Sequence, residues 1–367
     1  MDEVLDELLR RCDGGDPVAL ATVVGTWQSA PYPVGTAMLV GTDGTVTGNV
    51  SGGCVEAAVY EAGQEVLRTG RPVLHRFGVS PADAFEAGLT CGGTIEVYVE
   101  RIDRTGFPEL SILAGAVRAA TPVALLTCLR GTAEQRGRRI VVGPDSRHGT
   151  LGDATLDRLA VAAARRLLGA GESGGTDLPT GGAAEPARVF VRSYAPPPRL
   201  VVFGAVDVAA ELARFGSALG YWVTVCDARP VFATARRFPL AREVVVDWPD
   251  RYLAAELAAG RVDGRTAVCV LTHDARFDVP VLRLALDLDL AYVGALGSRR
   301  THLDRLDRLR AAGVDETALT RLSSPIGLDL GGRTAAETAL SISAELVALT
   351  HGRTGGRLRH GSGAIHG

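Results

Sequence analysis

The sequence contains no lysine: all 39 of its Lys and Arg positions are arginine. This absence excludes Schiff-base lysines, a catalytic lysine base and the lysine of a P-loop. The net charge is −3, so charge gives no reason to expect nucleic acid or a membrane surface as the main partner. No apolar run approaches about 18 residues, and the N-terminus is acidic where a signal peptide is basic. We therefore expect a cytoplasmic protein that does not enter a membrane.

Cysteine is present, but no Cys-x-x-Cys pair is. The six cysteines are far apart in the chain, which argues against a zinc site and, in a reducing compartment, favours free thiols. Three of them, Cys128, Cys226 and Cys269, lie inside apolar runs typical of strands, and we expect them in the core. Cys12 has no partner motif and is also assigned a structural role. Cys54 and Cys91 differ from the other four cysteines, because each lies next to a pair of glycines.

A chain of 367 residues is long enough for two domains with separate cores. Composition and patterning predict a first domain over residues 1–194, a proline-rich hinge at 195–198, a second domain over 199–352 and a disordered tail from 353 to 367. The predicted class is α/β. It combines an N-terminal duplicated α+β domain with a C-terminal Rossmann-like, doubly wound parallel sheet.

An internal repeat underlies the first domain. Pro17–Leu20 is repeated as Pro122–Leu125, and Gly48–Leu67 aligns without gaps with Gly149–Leu168. Each copy reads as a β-β-α-β unit, and we expect the sheet edges of the two units to join in one layered domain.

The two copies differ in the residues suited to binding a ligand. Copy one has Ser51-Gly52-Gly53-Cys54-Val55-Glu56 before its helix and an insert ending in Cys91-Gly92-Gly93, whereas copy two has the simple helix cap Gly152–Thr155. Copy two also has a stretch over 169–184 that resembles a flexible loop. Glycines admit a ligand to the backbone, and the start of a helix favours a thiolate. The alternative is a tight turn with a capping serine and a buried thiol. The predicted binding residues are Cys54, Cys91, Ser51, Gly52, Gly53, Gly92 and Gly93.

The second half alternates strands with helices, which predicts a parallel sheet of Rossmann type. Helices are expected over Val279–Leu288, Arg299–Ala312 and Thr334–Leu349. The predicted strands are Leu200–Phe203, Tyr221–Cys226, Val244–Val246, Ala267–Leu271 and Ala291–Val293.

The first turn of this half matches a dinucleotide fingerprint only in part. Gly204 is present, but Val206 replaces the glycine against which a pyrophosphate lies, and Asp207 adds negative charge at the helix start. Asp227 ends the second strand, where a ribose-binding acid is expected. The fold is therefore predicted, while NAD(P) binding is doubtful.

Polar residues follow two later strands, at the sheet edge where such folds bind ligands. His273, beside Asp274, is either a general base or part of a solvated, capping loop. After Ser298, Arg299 and Arg300 either clamp an anion or face solvent. Ser298 and Arg299 complete the predicted cofactor-binding set with Gly204 and Asp227.

Seven motifs are distributed over nearly the whole chain: Ser29-Ala30-Pro31, Ser51–Glu56, Cys91–Gly93, Asp227–Arg229, Thr272–Asp274, Gly294–Arg300 and Pro325–Leu328. Together they resemble the xanthine dehydrogenase accessory factor family, XdhC/CoxI. The resemblance implies a maturation factor, not an enzyme. Such a factor binds and protects molybdenum cofactor, lets a cysteine desulfurase sulfurate it, and delivers it to a xanthine dehydrogenase-type hydroxylase. It also implies that Cys54 is the key thiol and Cys91 the second.

The chain departs from the family pattern in two segments. Tyr32 stands where the family has a basic residue, and Gly204–Asp207 replaces its Gly-Ala-Gly-His. Two other functions therefore stay open: an NAD(P)-dependent oxidoreductase with His273 as base, and a purely structural partner of a hydroxylase. Exposed sheet edges make a homodimer the expected assembly.

Overall fold

The structure is a computed structural model that describes residues 3–27, 32–78, 93–180 and 185–360. The chain divides into two compact units, and the division falls between Pro196 and Pro197. Within the described ranges, no helix combines the length and apolar character needed to cross a membrane.

The first unit contains four helices and ten strands in the described residues. The helices are α1 (Glu3–Asp13), α2 (Glu56–Thr69), α3 (Leu110–Arg118) and α4 (Ala154–Ala170). The strands are β1 (Val18–Trp27), β2 (Ala37–Gly41), β3 (Val46–Gly48), β4 (Val73–Phe77), β5 (Thr94–Ile102), β6 (Val123–Arg130), β7 (Arg139–Val142), β8 (Arg147–Gly149), β9 (Gly174–Leu178) and β10 (Ala187–Tyr194).

These strands form two antiparallel sheets of the same topology. The first sheet has the order β3-β2-β1-β5-β4, and the second has the order β8-β7-β6-β10-β9. Each order is the other shifted by five strands, so the predicted duplicated α+β domain is confirmed. Each copy, however, is a β-β-β-α-β-β unit and not the predicted β-β-α-β unit, because short edge strands were missed in both copies. Helix α2 packs on the outer face of the first sheet and α4 on the outer face of the second.

The sheets meet through their faces and not, as the sequence led us to expect, through their edges. Each sheet keeps its own strands, while Val24 and Tyr98 of the first sheet pack with Leu129 and Phe190 of the second. Helices α1 and α3 share a further core with the inner faces of both sheets. The prediction that the sheets join through their edges was wrong. Strands β1 and β6 carry apolar side chains on both of their faces, so each sheet can be covered on two sides, by a helix and by the other sheet.

The flexible loop predicted over 169–184 is also corrected, because β9 lies within it. Thr176 pairs with Val189 and Gly174 with Val191, so β9 is the counterpart of β4 in copy one. An edge strand is held by backbone hydrogen bonds to a single neighbour, and its glycine-rich sequence gave no side-chain pattern to identify it.

The second unit is a six-stranded parallel sheet with the order β13-β12-β11-β14-β15-β16 and helices on both faces. This order confirms the Rossmann-like prediction. The helices are α5 (Asp207–Ala218), α6 (Pro249–Ala258), α7 (Ala275–Asp287), α8 (Arg299–Ala311), α9 (Glu316–Thr320) and α10 (Ala335–Thr350). The strands are β11 (Arg199–Phe203), β12 (Trp222–Cys226), β13 (Glu243–Val245), β14 (Ala267–Val270), β15 (Tyr292–Ala295) and β16 (Leu322–Ser323).

Four cysteines are buried, and for Cys128, Cys226 and Cys269 this confirms the predicted assignment to the core. Cys128, Cys226 and Cys269 are fully buried in strands, and Cys12 is buried near the C-terminal end of α1. Burial raises the pKa of Cys226 to about 12 and the pKa of Cys128 to about 11. These thiols therefore stay protonated at neutral pH and are poor nucleophiles.

Candidate functional site

The loop before α2 is organised around the carboxylate of Glu56. Its Oε1 accepts hydrogen bonds from the backbone N–H groups of Ser51 (2.7 Å) and Val50 (3.2 Å). Its Oε2 accepts from the N–H of Gly53 (2.8 Å) and from the Ser51 hydroxyl (2.5 Å). The Ser51 Oγ in turn accepts from the N–H of Cys54 at 3.1 Å. One carboxylate therefore fixes the whole turn that presents Cys54.

These hydrogen bonds also set the charge of the loop. Burial opposes ionisation of Glu56, but the hydrogen bonds from Ser51 and the backbone outweigh it and lower the pKa of Glu56 to about 2. The carboxylate is thus ionised throughout the physiological range. The N–H groups of Val50, Ser51 and Gly53 are therefore occupied by this internal anion and are not free to bind an anionic ligand.

Cys54 is half-buried and lies two residues before the first residue of α2. Its side chain packs against the outer-face core of the first sheet. Gly52 and Gly53 are exposed and have φ values of +74° and +111°, in the region that favours glycine. A Cβ atom at Gly53 would meet no other atom within 4 Å, so one side of the turn is open for a ligand.

Tyr32 lies against the same turn. A Cβ atom built on Gly52 would lie 3.3 Å from Cε2 of Tyr32. The residue that departs from the family pattern therefore contacts the loop directly, and it contributes an aromatic ring where a positive charge was expected.

Copy two contains the same carboxylate brace without the cysteine. Asp157, which aligns with Glu56, accepts from the N–H of Leu151 at 2.7 Å and from the Thr150 hydroxyl at 2.8 Å. The brace is therefore part of the repeated scaffold, and Cys54 with its glycines is an addition specific to copy one. Sequence reasoning gave Glu56 no role, although an acid at equivalent positions of both copies was the signal for it.

The second glycine-flanked cysteine is only partly described. Cys91 and Gly92 lie outside the described residues, as do Ser29, Ala30 and Pro31. Gly93 is buried directly before β5. In the first sheet, the register pairs Trp27 at the end of β1 with Thr94 at the start of β5.

In the second unit, Gly204 makes a close contact that requires glycine. Its φ is +114°, and a Cβ atom there would lie 2.8 Å from Cγ2 of Thr272. Asp227 is buried and accepts hydrogen bonds from the N–H of Ala205 (2.8 Å) and from the backbone and guanidinium of Arg229. These bonds outweigh the opposing effect of burial and hold the pKa of Asp227 below its ordinary value. Both carboxylate oxygens are thus used inside the protein, and this geometry does not support a ribose-binding role.

The start of α5 also lacks the features of a phosphate-binding site. Val206 is the N-cap residue of the helix, and it provides no side-chain hydrogen bond. Asp207 is exposed and forms an ion pair with Arg237 at 3.2 Å. An acidic side chain therefore lies where a pyrophosphate would need positive potential.

The polar residues at the sheet edge have different surroundings. His273 is exposed, while Asp274 caps α7 by accepting from the N–H of Arg276. Helix α7 consequently begins at Ala275, four residues before the predicted start. Ser298 caps α8 by accepting from the N–H of Thr301, and Arg299 is exposed.

A buried ion pair behind this edge was not identified from the sequence. Arg305 donates to Asp278 (3.2 Å), to the carbonyl of Leu296 (2.8 Å) and to Ser324 Oγ (3.0 Å), and Thr272 donates to the other oxygen of Asp278. Arg305 thus links the ends of β15 and β16 directly and the end of β14 through Asp278 and Thr272. Its sequence context is a charged helix, which gave no sign of burial. In the part of the chain that the structure describes, no cluster of three or more potential ligands could hold a metal ion.

Models of known protein families match residues in both units. Residues 12–78 match the model of the XdhC and CoxI family, and residues 200–346 match the model of the XdhC Rossmann domain. A relative from Escherichia coli (strain K12), named molybdenum cofactor insertion chaperone PaoD, is 28% identical over 335 residues, which cover 91% of this chain and 84% of that protein. A second relative, named as a probable subunit of xanthine dehydrogenase from Bacillus subtilis (strain 168), is 26% identical over 352 residues, covering 94% and 96%.

A solved structure agrees over nearly the full length. The crystal structure of a xanthine dehydrogenase from Bacillus halodurans superimposes with a TM-score of 0.64 at 25% identity, covering 96% of this chain and 97% of that one. Together with the two family models, this agreement supports one assignment for both halves: the chain belongs to the XdhC and CoxI family.

Proposed function

We propose that this protein binds molybdenum cofactor at the Cys54 loop, protects it and delivers it to a xanthine dehydrogenase-type molybdenum hydroxylase. The observation that carries the proposal is the half-buried Cys54 thiol beside two exposed glycines, in the copy of the repeat that adds these residues to a shared brace. The name of the Escherichia coli relative supports a role in cofactor insertion.

The donors of the loop suit one end of the cofactor better than the other. The thiol and the open backbone at Gly53 fit a sulfur-rich, planar group that approaches closely. The loop N–H groups do not fit the phosphate, because Glu56 already occupies them. When bound, the cofactor supplies the molybdenum centre that the client enzyme uses.

Each residue of the loop then has a distinct task. Cys54 contacts the cofactor through sulfur, and Gly52 and Gly53 keep the approach free of side chains. Ser51 and Glu56 are positioning residues that hold Cys54 in place through their hydrogen bonds. Cys91 and Gly92 are proposed as a second contact.

The finer steps rest on the family resemblance. They are acceptance of sulfur from a cysteine desulfurase, action as a homodimer in the cytoplasm, and no catalysis by the chain itself. The oxidoreductase alternative requires NAD(P), and the buried Asp227 and the acidic start of α5 give it no support.

Delivery is tested by incubating free cofactor in air, with and without the protein, before adding a cofactor-free xanthine dehydrogenase. The wild-type protein should preserve most of the activating capacity, and Cys54→Ala should preserve little. Thr155→Ala is the matched control, because Thr155 occupies the equivalent position in copy two. Equal protection by wild type and Cys54→Ala would reject the loop as the site.

A further inference from the structure

A groove between the two repeats of the first unit is separate from the Cys54 loop. Its first pocket, of about 440 Å³, is lined by Leu74, Tyr98 and Leu129 together with Arg130 and Arg136. A second pocket, of about 420 Å³, shares Arg136 with the first and continues towards Arg139. Each volume is in the range of small-molecule sites.

Two buried donors along this groove lack acceptors within the described residues. The Tyr98 hydroxyl is buried without a hydrogen-bond partner, and so is Nε of Arg139, whose side chain is only 8% exposed. Burial, together with the negative charge of Glu100, raises the pKa of Tyr98 above its ordinary value, so the hydroxyl stays a donor. A buried donor without an acceptor destabilises the protein, and an acceptor on a ligand would remove that cost.

The charge of the groove is positive. Five arginines line the two pockets against three glutamates, and Glu100 is already paired with Arg139. The guanidinium of Arg136 is exposed and makes no hydrogen bond or ion pair with the described side chains, and its charge acts on Tyr98. Arg130, in contrast, is paired with Glu96 at 3.5 Å. Arg136 is therefore the cation best placed to bind an external anion.

We propose that this groove binds a phosphorylated ring compound, with its phosphate at Arg136 and its ring against Leu74 and Leu129. The Tyr98 hydroxyl donates a hydrogen bond to a ligand oxygen that lies between the phosphate and the ring. The apolar wall selects a ring, and the guanidinium selects a dianion. This site does not depend on the cofactor proposal, since it contains no residue of the Cys54 loop.

The test is calorimetric titration of the full chain at low salt with three probes: guanosine monophosphate, guanosine and inorganic phosphate. Wild type should bind the monophosphate, and the other two at least tenfold more weakly. Arg136→Ala should weaken binding of the monophosphate by about tenfold or more, and Tyr98→Phe by about three- to tenfold. Arg166→Ala is the control for charge, because Arg166 is exposed on α4.

Three results would overturn the proposal. They are absence of monophosphate binding by wild type at about 1 mM, unchanged affinity in Arg136→Ala, and equal affinity for guanosine or for phosphate alone. Thermal unfolding of each variant separates loss of binding from loss of fold, because Tyr98→Phe removes an unpaired hydroxyl and should not destabilise the protein. Cys54→Ala should bind the monophosphate with wild-type affinity, which keeps this result distinct from a failure of the cofactor proposal.

Discussion

Replacing Glu56 with glutamine is expected to destabilise the first unit and to release the Cys54 loop. The carboxylate accepts from Val50, Ser51 and Gly53, and an amide of the same shape can accept at only one of its two positions. A pKa lowered from 4.5 to about 2 corresponds to about 3 kcal/mol. Partial exposure to solvent reduces this figure, and we expect a loss of about 2 kcal/mol.

The pH dependence of this loss has a definite sign. The folded-state pKa of Glu56 is lowered, so its contribution is complete above its ordinary value of 4.5 and disappears as the pH falls towards about 2. The difference in unfolding free energy between wild type and Glu56→Gln should therefore be constant from about pH 5 to 7 and shrink below about pH 4.5.

Urea unfolding followed by pulsed hydrogen exchange is a suitable assay, because peptides from α2 report on the first unit alone. Asp157→Asn is the matched control, since it removes the equivalent brace from copy two. It should destabilise the same unit without changing alkylation of Cys54. A cost for Glu56→Gln below about 0.5 kcal/mol, or a difference that grows at low pH, would refute the account of the loop.

Three further experiments test other parts of the structure. Arg305→Met should cost about 3–5 kcal/mol because it leaves Asp278 buried and unpaired, and adding Asp278→Asn should recover part of the loss in urea unfolding. Gly204→Ala should cost about 2–3 kcal/mol because of its positive φ and the close contact of the new Cβ, and an unchanged unfolding midpoint would contradict this. Peptide-resolved alkylation of the native protein should modify Cys54 long before the fully buried Cys269, and equal rates would show that Cys54 is shielded.

Most of the fold could be predicted from the sequence because its signals are local. Apolar runs such as Leu200–Phe203 identified the central strands, and the self-similarity of Gly48–Leu67 and Gly149–Leu168 identified the repeat. The two-residue β16 and the glycine-rich β9 were missed, since both are edge strands held by backbone pairing alone. The way the two sheets pack was mispredicted because it depends on which faces are covered, and strand patterns that are apolar on both faces do not decide this.

The candidate site could be located from the sequence, but its internal bonds could not. Glycines around Cys54 indicated a turn open to a ligand, and the structure has that turn. The role of Glu56 depends on a carboxylate folding back over its own loop, which residue type and spacing do not specify. At Asp227 the sequence position suggested a role that the contacts do not support. The position is that of a ribose-binding acid, but its carboxylate accepts hydrogen bonds from Ala205 and Arg229.

The central claim is that the copy-one loop holds molybdenum cofactor through Cys54. The most direct measurement is anaerobic: cofactor is added to wild type, Cys54→Ala and Thr155→Ala, unbound material is removed by gel filtration, and retained pterin and molybdenum are quantified. The account predicts near-stoichiometric retention by wild type and Thr155→Ala, and its loss in Cys54→Ala. Equal retention by all three proteins, or retention by none, would contradict it.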